Sequence, residues 1–272
     1  MELNVPVSGG EVWADDTGGD DPPVMLLHPG VGDSRIWDRV LPKLAEHHRV
    51  IRYDVRGYGR SPKPTVPYSL RDDLVAVLDH FGLRSVPLVG CSMGGGTAMS
   101  FALTAPERVT ALVLLCPGVT GYPWPEEPEV EAEYEALVGA GDVEGLVAFG
   151  LREWAAAGAD ESAVAQLRAA APAWLTEDEY QRVDPPVFDR LHELDMPAMV
   201  MVGDLDRPPL IECNEQVAAR IPGCQLVQMS GVDHLPPLRV PDLVATTVLA
   251  YCGGKLLVDH SQPPPPPQQV EG

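Results

Sequence analysis

The feature that most limits how this chain can fold is a serine placed between glycines where a strand meets a helix. An apolar run over residues 86–89 predicts a buried strand, which leads into Gly90-Cys91-Ser92-Met93-Gly94. Residues 97–103 have the apolar spacing of a helix packed on a sheet. A residue at so tight a turn takes a strained backbone conformation, so the positions two before and two after it need to lack bulk. We therefore predict a nucleophile elbow at Ser92, rather than a glycine-rich turn that only allows close packing.

Strands and helices alternate on both sides of this turn. Apolar runs predict strands at residues 24–27, 50–54, 110–115, 198–202 and 225–229, and helical spacing predicts helices at 35–47, 70–81, 211–220 and 242–251. This alternation predicts an α/β fold, with a mostly parallel sheet and helices on both faces. Ligands bind such sheets at the carboxyl ends of the strands. Four side chains follow predicted strands at that edge: His28, Asp54, Ser92 and Cys116.

The stretch from residue 119 to residue 190 interrupts the alternation. It holds sixteen Asp or Glu, four Arg and no Lys, and its readable pieces are helical, at residues 129–137, 143–156, 162–170 and 177–183. It is too long for a loop and too poor in strands to continue the sheet. We therefore predict a helical cap at 119–190, inserted into a core formed by residues 1–118 and 191–252.

Three tryptophans of the predicted cap, Trp124, Trp154 and Trp174, are candidates for the apolar roof of a substrate pocket. The alternative is that they only pack the cap together. Residues 253–272 contain the polyproline run 263–267 and no packing pattern. We expect them to form a disordered Pro-rich tail, and the sequence leaves open whether that tail is native.

The composition of the chain limits the classes of partner that it can bind. The formal charge of −21 points away from nucleic acid, and no apolar run is long enough to span a membrane. The five cysteines are odd in number and show no C-x-x-C spacing, which argues against a disulfide framework and against a zinc site. The first thirty residues carry no targeting pattern, so we expect a cytoplasmic protein. We also expect it to use neither a metal nor a cofactor.

A serine hydroxyl needs a base within hydrogen-bond reach, and that base needs a carboxylate to hold its tautomer. Two later loops offer these groups. Asp206 follows a predicted strand in a Gly-x-x-Asp turn, and His234 follows the next strand. Asp204 is an alternative acid, but the Gly-x-x-Asp register favours Asp206. We therefore predict that Ser92, Asp206 and His234 form a catalytic triad.

Stabilising the oxyanion of an acyl transfer requires two N–H donors. Met93, the residue after the serine, supplies one. The second is expected from the turn that begins at His28, where Pro29 has no N–H. Gly30 is therefore the expected donor, with Val31 as the alternative.

Several motifs together resemble the α/β-hydrolase fold superfamily, in particular its capped serine esterases, enol-lactonases and cofactor-free haloperoxidases. The resemblance covers about residues 20–252 and lies in Leu27-His28-Pro29-Gly30, the loop 54–61, the elbow 90–95, Ala105-Pro106-Glu107-Arg108-Val109, Gly203-Asp204-Leu205-Asp206 and Asp233-His234-Leu235-Pro236. The order Ser, Asp, His along the chain is also that of the family. Pro29 and Asp233 stand where the family commonly has glycine.

The resemblance implies hydrolysis of a carboxylic ester or a lactone of a small, largely apolar molecule, through an acyl-enzyme. Hydrolysis of a carbon–carbon bond in a diketone acid, with Arg152 as a possible carboxylate-binding residue, is one alternative, and perhydrolysis is another. A ligand receptor on a hydrolase scaffold is an alternative of a different class. The sequence does not identify the substrate or the oligomeric state.

Overall fold

A computed structural model describes residues 1–252, apart from the side chains of residues 177 and 178. Its sheet has eight strands, β1 (Glu2–Val7), β2 (Gly10–Asp16), β3 (Pro23–Leu27), β4 (Arg49–Tyr53), β5 (Val86–Cys91), β6 (Val109–Leu115), β7 (Ala198–Gly203) and β8 (Gln225–Met229). Their order is β1-β2-β4-β3-β5-β6-β7-β8. β2 runs antiparallel to β1 and β4, and the other neighbours are parallel. The predicted α/β fold with a mostly parallel sheet is confirmed.

Helices flank the sheet. They are α1 (Leu41–Ala45), α2 (Leu70–His80), α3 (Met93–Thr104), α4 (Pro128–Ala140), α5 (Val143–Trp154), α6 (Glu161–Trp174), α7 (Glu177–Tyr180), α8 (Pro208–Arg220), α9 (Pro236–Arg239) and α10 (Pro241–Cys252). Short 3₁₀ turns lie at Ser34–Trp37, Pro106–Arg108 and Phe188–Glu193. Helix α3 packs on β3, β5 and β6, helix α8 on β7, and helix α10 on β6.

The central strands are apolar along their whole length because helices exclude water from both of their faces. Every residue of β5 and of β7 is buried. Strand β5 lies between β3 and β6, and Gly90 pairs with Leu27 on one side and Leu114 on the other. The residue that follows β5 therefore emerges at the middle of the carboxyl edge of the sheet.

The predicted continuous helix over residues 35–47 is wrong. The structure has a 3₁₀ turn at Ser34–Trp37 and then the short helix α1. Pro42 explains the break, because a proline inside a helix cannot donate to the carbonyl four residues back and clashes with it. It is tolerated in the first turn of a new helix, where α1 has it.

Between β6 and β7 the chain forms helices α4 to α7, within the stretch 119–190 that we call the inserted segment. Gly141 ends α4 in a left-handed conformation with φ of 64°, and the Asp142 carboxylate starts α5 by accepting the N–H of Gly145. Whether this segment and the core are separate domains stays a prediction. The predicted Pro-rich tail lies outside the described residues. Within residues 1–252, the helices are all too short or too polar to cross a membrane.

The turn from β5 to α3 is as tight as the glycine spacing predicts. Ser92 has φ of 48°, a left-handed value that non-glycine residues rarely adopt. A Cβ atom at Gly90 would lie 2.4 Å from the carbonyl oxygen of Gly94, and one at Gly94 would lie 2.4 Å from the carbonyl oxygen of Leu27. These neighbours are backbone atoms, so they cannot rotate away as a side chain would. The two glycines therefore allow α3 to approach β3 and to hold the strained serine.

We expect Gly94→Ala to lower the free energy of unfolding by about 3 kcal/mol, the upper end of the usual cost of overpacking, because the new methyl group meets the backbone of Leu27. Gly139→Ala, in α4, is the matched control. A Cβ there meets nothing within 4 Å, so alanine should stabilise the helix by up to about 1 kcal/mol. Urea unfolding of both variants measures the difference. Equal effects of the two substitutions would contradict the steric explanation.

Candidate functional site

Ser92 is held at the start of α3 by hydrogen bonds on both sides of its peptide. Its N–H donates to the carbonyl oxygen of Leu115 at 2.9 Å, and its own carbonyl oxygen accepts the N–H groups of Gly96 and Gly118 at 3.0 and 3.2 Å. The serine thus bridges the ends of β5 and β6. Its side chain lines a cavity of about 540 Å³ at the carboxyl edge of the sheet.

His234 and Asp206 form a buried pair beside that cavity. Nδ1 of His234 lies 2.8 Å from Oδ2 of Asp206, and the two side chains are 2% and 0% exposed. An ionised carboxylate can only accept, so Nδ1 carries the proton and the neutral ring keeps its lone pair on Nε2. His234 and Ser92 line the same cavity. The geometry thus provides a hydroxyl, a base with a fixed tautomer and an acid in one place.

The carboxyl group of Asp206 is ionised at neutral pH. Burial alone would raise its pKa, but the charge and hydrogen bond of His234, the N–H of Arg207 and the thiol of Cys116 together bring the pKa below its ordinary value. The N–H of Arg207 donates to Oδ1 at 2.8 Å. Asp204, the alternative acid, accepts instead from the N–H of Gly231 at 2.6 Å and so braces the neighbouring turn.

The sequence correctly predicted that Cys116 lies at the carboxyl edge of the sheet, but it indicated no role for this residue. Its backbone has φ of 46°, left-handed like that of Ser92. Burial, followed by the charge of Asp206, holds the pKa of its thiol well above the ordinary value. Cys116 is therefore a thiol that donates to Asp206. The sulfur, the carboxylate and the His234 ring lie within 4.8 Å of one another, and these hydrogen bonds account for the grouping without a bound ion.

The turn expected to supply the second oxyanion donor is oriented by His28. The N–H of Val55 donates to Nε2 of His28 at 2.9 Å, so the ring proton is on Nδ1, which donates to the carbonyl oxygen of Pro29 at 2.8 Å. Carbonyl and N–H point in opposite directions across a trans peptide. The N–H of Gly30 is therefore turned away from His28, and Gly30 lines the cavity together with Val31 and Met93.

The cavity wall is largely aromatic. The predicted pocket residues Trp124, Trp154 and Trp174 all line it. The ring of Trp154 lies 4.8 Å from that of His234, and Nε1 of Trp174 donates to the carbonyl oxygen of Gly30 at 2.7 Å. That these tryptophans bind substrate stays a prediction.

Further wall residues were not found from the sequence. Among them are Tyr58, Val130, Tyr134, Phe149, Arg207, Glu127 and Glu131. Val130 and Tyr134 are four residues apart on α4, which places them on one helix face. That spacing was a usable signal, but it does not tell which face turns towards the core.

Asp233, which stands where the family commonly has glycine, ties the loop of His234 to the inserted segment. Its buried carboxylate accepts the N–H of Leu235 at 3.1 Å and that of Ala157 at 3.0 Å. It also accepts from Nε and Nη2 of Arg239, at 3.1 and 2.8 Å. The hydrogen bonds of this carboxylate therefore go to its own loop, to Arg239 and to the inserted segment.

Arg152, the candidate for holding a substrate carboxylate, lies outside the cavity wall. Its exposed guanidinium pairs with Glu133 at 2.8 Å and with Glu153 at 3.0 Å. Such an arrangement is a surface ion-pair network, which contributes little to stability and leaves no free charge for a ligand.

We expect Asp233→Ala to lower the free energy of unfolding by about 3 kcal/mol, because it leaves Arg239 without its buried partner and two N–H groups without an acceptor. Asp160→Asn is the control. It removes the exposed partner of Arg239 but keeps an oxygen that caps α6, so the loss should stay below about 1 kcal/mol. Urea unfolding compares the two. A loss in Asp233→Ala no larger than in the control would contradict the clamp.

Comparison with known proteins identifies the family of this chain. The family model described as alpha/beta hydrolase fold matches residues 22–238. The rhodomycin D methylesterase of Streptomyces sp. (strain C5) is 27% identical over 280 residues, 88% of this chain and 94% of its own length. The 2-hydroxymuconate semialdehyde hydrolase of Pseudomonas sp. (strain CF600) is 40% identical over 110 residues, 38% of each chain. Uncharacterized mycobacterial proteins are 41% identical over 107 residues, which is 30% of their length. The matched stretch therefore spans only about a third of the length of the relatives with the higher identities.

Solved structures agree with the fold. A hydrolase from Pseudomonas aeruginosa PA01 is 26% identical, with a TM-score of 0.77 over 93% of this chain and 98% of its own. The enol-lactonase from Burkholderia xenovorans LB400 is 22% identical and shares the fold with a TM-score of 0.79, over 92% of this chain and 99% of its own. The chain therefore belongs to the alpha/beta hydrolase fold family, as its motifs indicated.

Proposed function

We propose that this protein is a serine hydrolase that cleaves a carboxylic ester or a lactone of a small, largely apolar molecule through an acyl-enzyme. One observation carries the proposal. Ser92, with its strained backbone, and His234, the histidine of the buried His–Asp pair, line the same aromatic cavity. The match to a methylesterase over most of both chains supports an ester as the substrate. The proposal includes the predicted division of the chain into a core, at 1–118 and 191–252, and a cap, at 119–190.

The reaction begins at Ser92. Nε2 of His234 takes the hydroxyl proton while Oγ attacks the carbonyl carbon of the substrate. The tetrahedral intermediate collapses, the bond to the alcohol oxygen breaks, and His234 returns the proton to the departing alcohol. Water then attacks the acyl-enzyme by the same route and releases the acid. Asp206 holds the tautomer of His234 and stabilises the imidazolium that forms at each step.

The negative charge that develops on the carbonyl oxygen is stabilised at the amino end of α3. Met93 is the first residue of that helix, so its N–H has no partner inside the helix. The positive end of the helix dipole lies at the same point. The N–H of Gly30 is the second donor we propose, and Val31 remains the alternative.

Carbon–carbon bond hydrolysis of a diketone acid is the second candidate. The 40% identity to the 2-hydroxymuconate semialdehyde hydrolase favours it, although only over 110 residues. A panel of a nitrophenyl ester, lactones and a vinylogous diketone acid separates the two activities, and adding peroxide tests perhydrolysis. Saturable ligand binding without turnover would favour the receptor alternative.

We also propose a cytoplasmic location. All five cysteines are free, which is typical of a reducing compartment.

We expect Ser92→Ala to lower kcat on a nitrophenyl ester by about 10⁶-fold, because the nucleophile is removed while the rest of the site stays. Ser100→Ala, two turns further along α3, is the control and should keep activity within about twofold of wild type, since that serine lies outside the proposed machinery. Steady-state kinetics with circular dichroism separates loss of chemistry from loss of fold. Full activity in Ser92→Ala would refute the mechanism.

We expect two substitutions of His28 to separate the roles of its ring nitrogens. His28→Asn can still donate to the Pro29 carbonyl, and His28→Gln can only replace the acceptor for Val55. If His28 orients the oxyanion donor, the Gln variant should lose about 10²-fold in kcat with little change in KM, and the Asn variant should lose much less. Kinetics on one ester measures both. Equal losses in the two variants would mean that the Pro29 contact has no part in catalysis.

A further inference from the structure

Arg207 brings a positive charge to the cavity wall next to the proposed catalytic acid. It follows Asp206 directly, and its guanidinium carbon lies 5.0 Å from the centre of the Trp154 ring. An arginine at such a place is the usual way to hold a substrate carboxylate. Whether it can do so depends on what already occupies its donors.

Two glutamates of the inserted segment already lie against its guanidinium. Nη2 of Arg207 pairs with the carboxylate of Glu127, which precedes α4, and Nε lies 3.4 Å from Oε2 of Glu153 near the end of α5. The Arg207 and Glu153 side chains are 20% and 13% exposed, so water screens this cluster only in part. Oε1 of Glu153 also pairs with Arg152 at 3.0 Å, so Glu153 lies between two arginines. Arg207 thus shares its charge with Glu127 and, in part, with Glu153.

The charged side chains of the described wall leave the cavity with an excess of negative charge. Glu127 and Glu131 line it, and Arg207 is the one arginine of the described lining. Glu153 lies outside the lining and pairs with both Arg207 and Arg152. The remaining titratable groups at the wall are the His234 ring, paired with Asp206, and the phenols of Tyr58 and Tyr134. A substrate carboxylate that approached Arg207 would lie beside the carboxylate of Glu127.

We propose that the cavity selects esters and lactones whose acyl and alcohol parts carry no negative charge, and that the Glu127–Arg207–Glu153 cluster enforces this selection. The proposal rests on the proposed function and narrows it. Placing like charges side by side in a partly dry site weakens binding strongly. The same cluster then disfavours diketone acids, because their carboxylate would meet a cation whose charge Glu127 already balances.

The test compares two esters of equal length. 4-Nitrophenyl butyrate ends in a methyl group, and mono-4-nitrophenyl succinate ends in a carboxylate. We expect kcat/KM of the wild-type enzyme to favour the butyrate by about 10²-fold. The preference should shrink as salt concentration rises, because screening weakens the repulsion.

Removing the two carboxylates should reverse the effect through Arg207. In the double variant Glu127→Gln/Glu153→Gln we expect the preference for the butyrate to fall by about tenfold or more, since the guanidinium becomes free to pair with the succinate. Adding Arg207→Gln to the double variant should abolish that gain. Glu144→Gln, which removes a carboxylate from the exposed pair with Arg168, should leave the ratio unchanged.

The outcomes separate this proposal from the proposed function. Hydrolysis of both esters by wild type with equal kcat/KM would overturn the selection by charge and leave the serine-hydrolase mechanism in place. A ratio that shifts as much in Glu144→Gln as in the double variant would also overturn it, because general surface charge would then be the cause. Failure of wild type to hydrolyse either ester would refute the proposed function, and the substrate class would be refuted with it.

Discussion

The strained backbone of Ser92 is the constraint on which the rest of the site depends. A left-handed conformation of a residue with a side chain costs on the order of 1–3 kcal/mol and persists only where the surroundings enforce it. Here β5 is locked between β3 and β6, and α3 approaches the backbone of Leu27 so closely that only glycine fits at Gly94. The buried sheet thus supplies the stability that a single turn would lack, and it directs the hydroxyl into the cavity.

The inserted segment is hydrogen-bonded or ion-paired to the three loops that carry Gly30, Asp206 and His234. Trp174 binds the carbonyl of Gly30, and the carbonyl of Trp154 accepts the N–H of His234 at 3.3 Å. Asp233 accepts the N–H of Ala157, and Arg207 pairs with carboxylates of the segment. Because these bonds reach the base, the acid loop and the oxyanion turn, movement of the segment would disturb the geometry of catalysis as well as access to the cavity.

The sequence predicted strands β3 to β8 and the positions of Ser92, His234 and Asp206 because each signal is local. A buried parallel strand is a continuous apolar run, and the functional side chain lies in the turn or loop that comes after it. The break before Pro42 was missed although proline gave the warning, since apolar spacing continued across it. Cys116 and Arg207 acquire their roles from partners far along the chain, Cys116 from Asp206 and Arg207 from Glu127 and Glu153. Such pairings depend on how helices rotate on the sheet, which periodicity does not determine.

The two positions that depart from the family pattern are both compensated by contacts of the same loop. Pro29 lacks an N–H, but its carbonyl accepts the His28 proton, and this contact orients the peptide whose N–H belongs to Gly30. Asp233 adds a charge next to the base, yet Arg239 and two N–H groups take up that charge. An unpaired carboxylate beside His234 would compete with Asp206 for the imidazolium. Because Arg239 and the two N–H groups hold this carboxylate, Asp233 fixes the backbone beside the base and leaves its tautomer to Asp206.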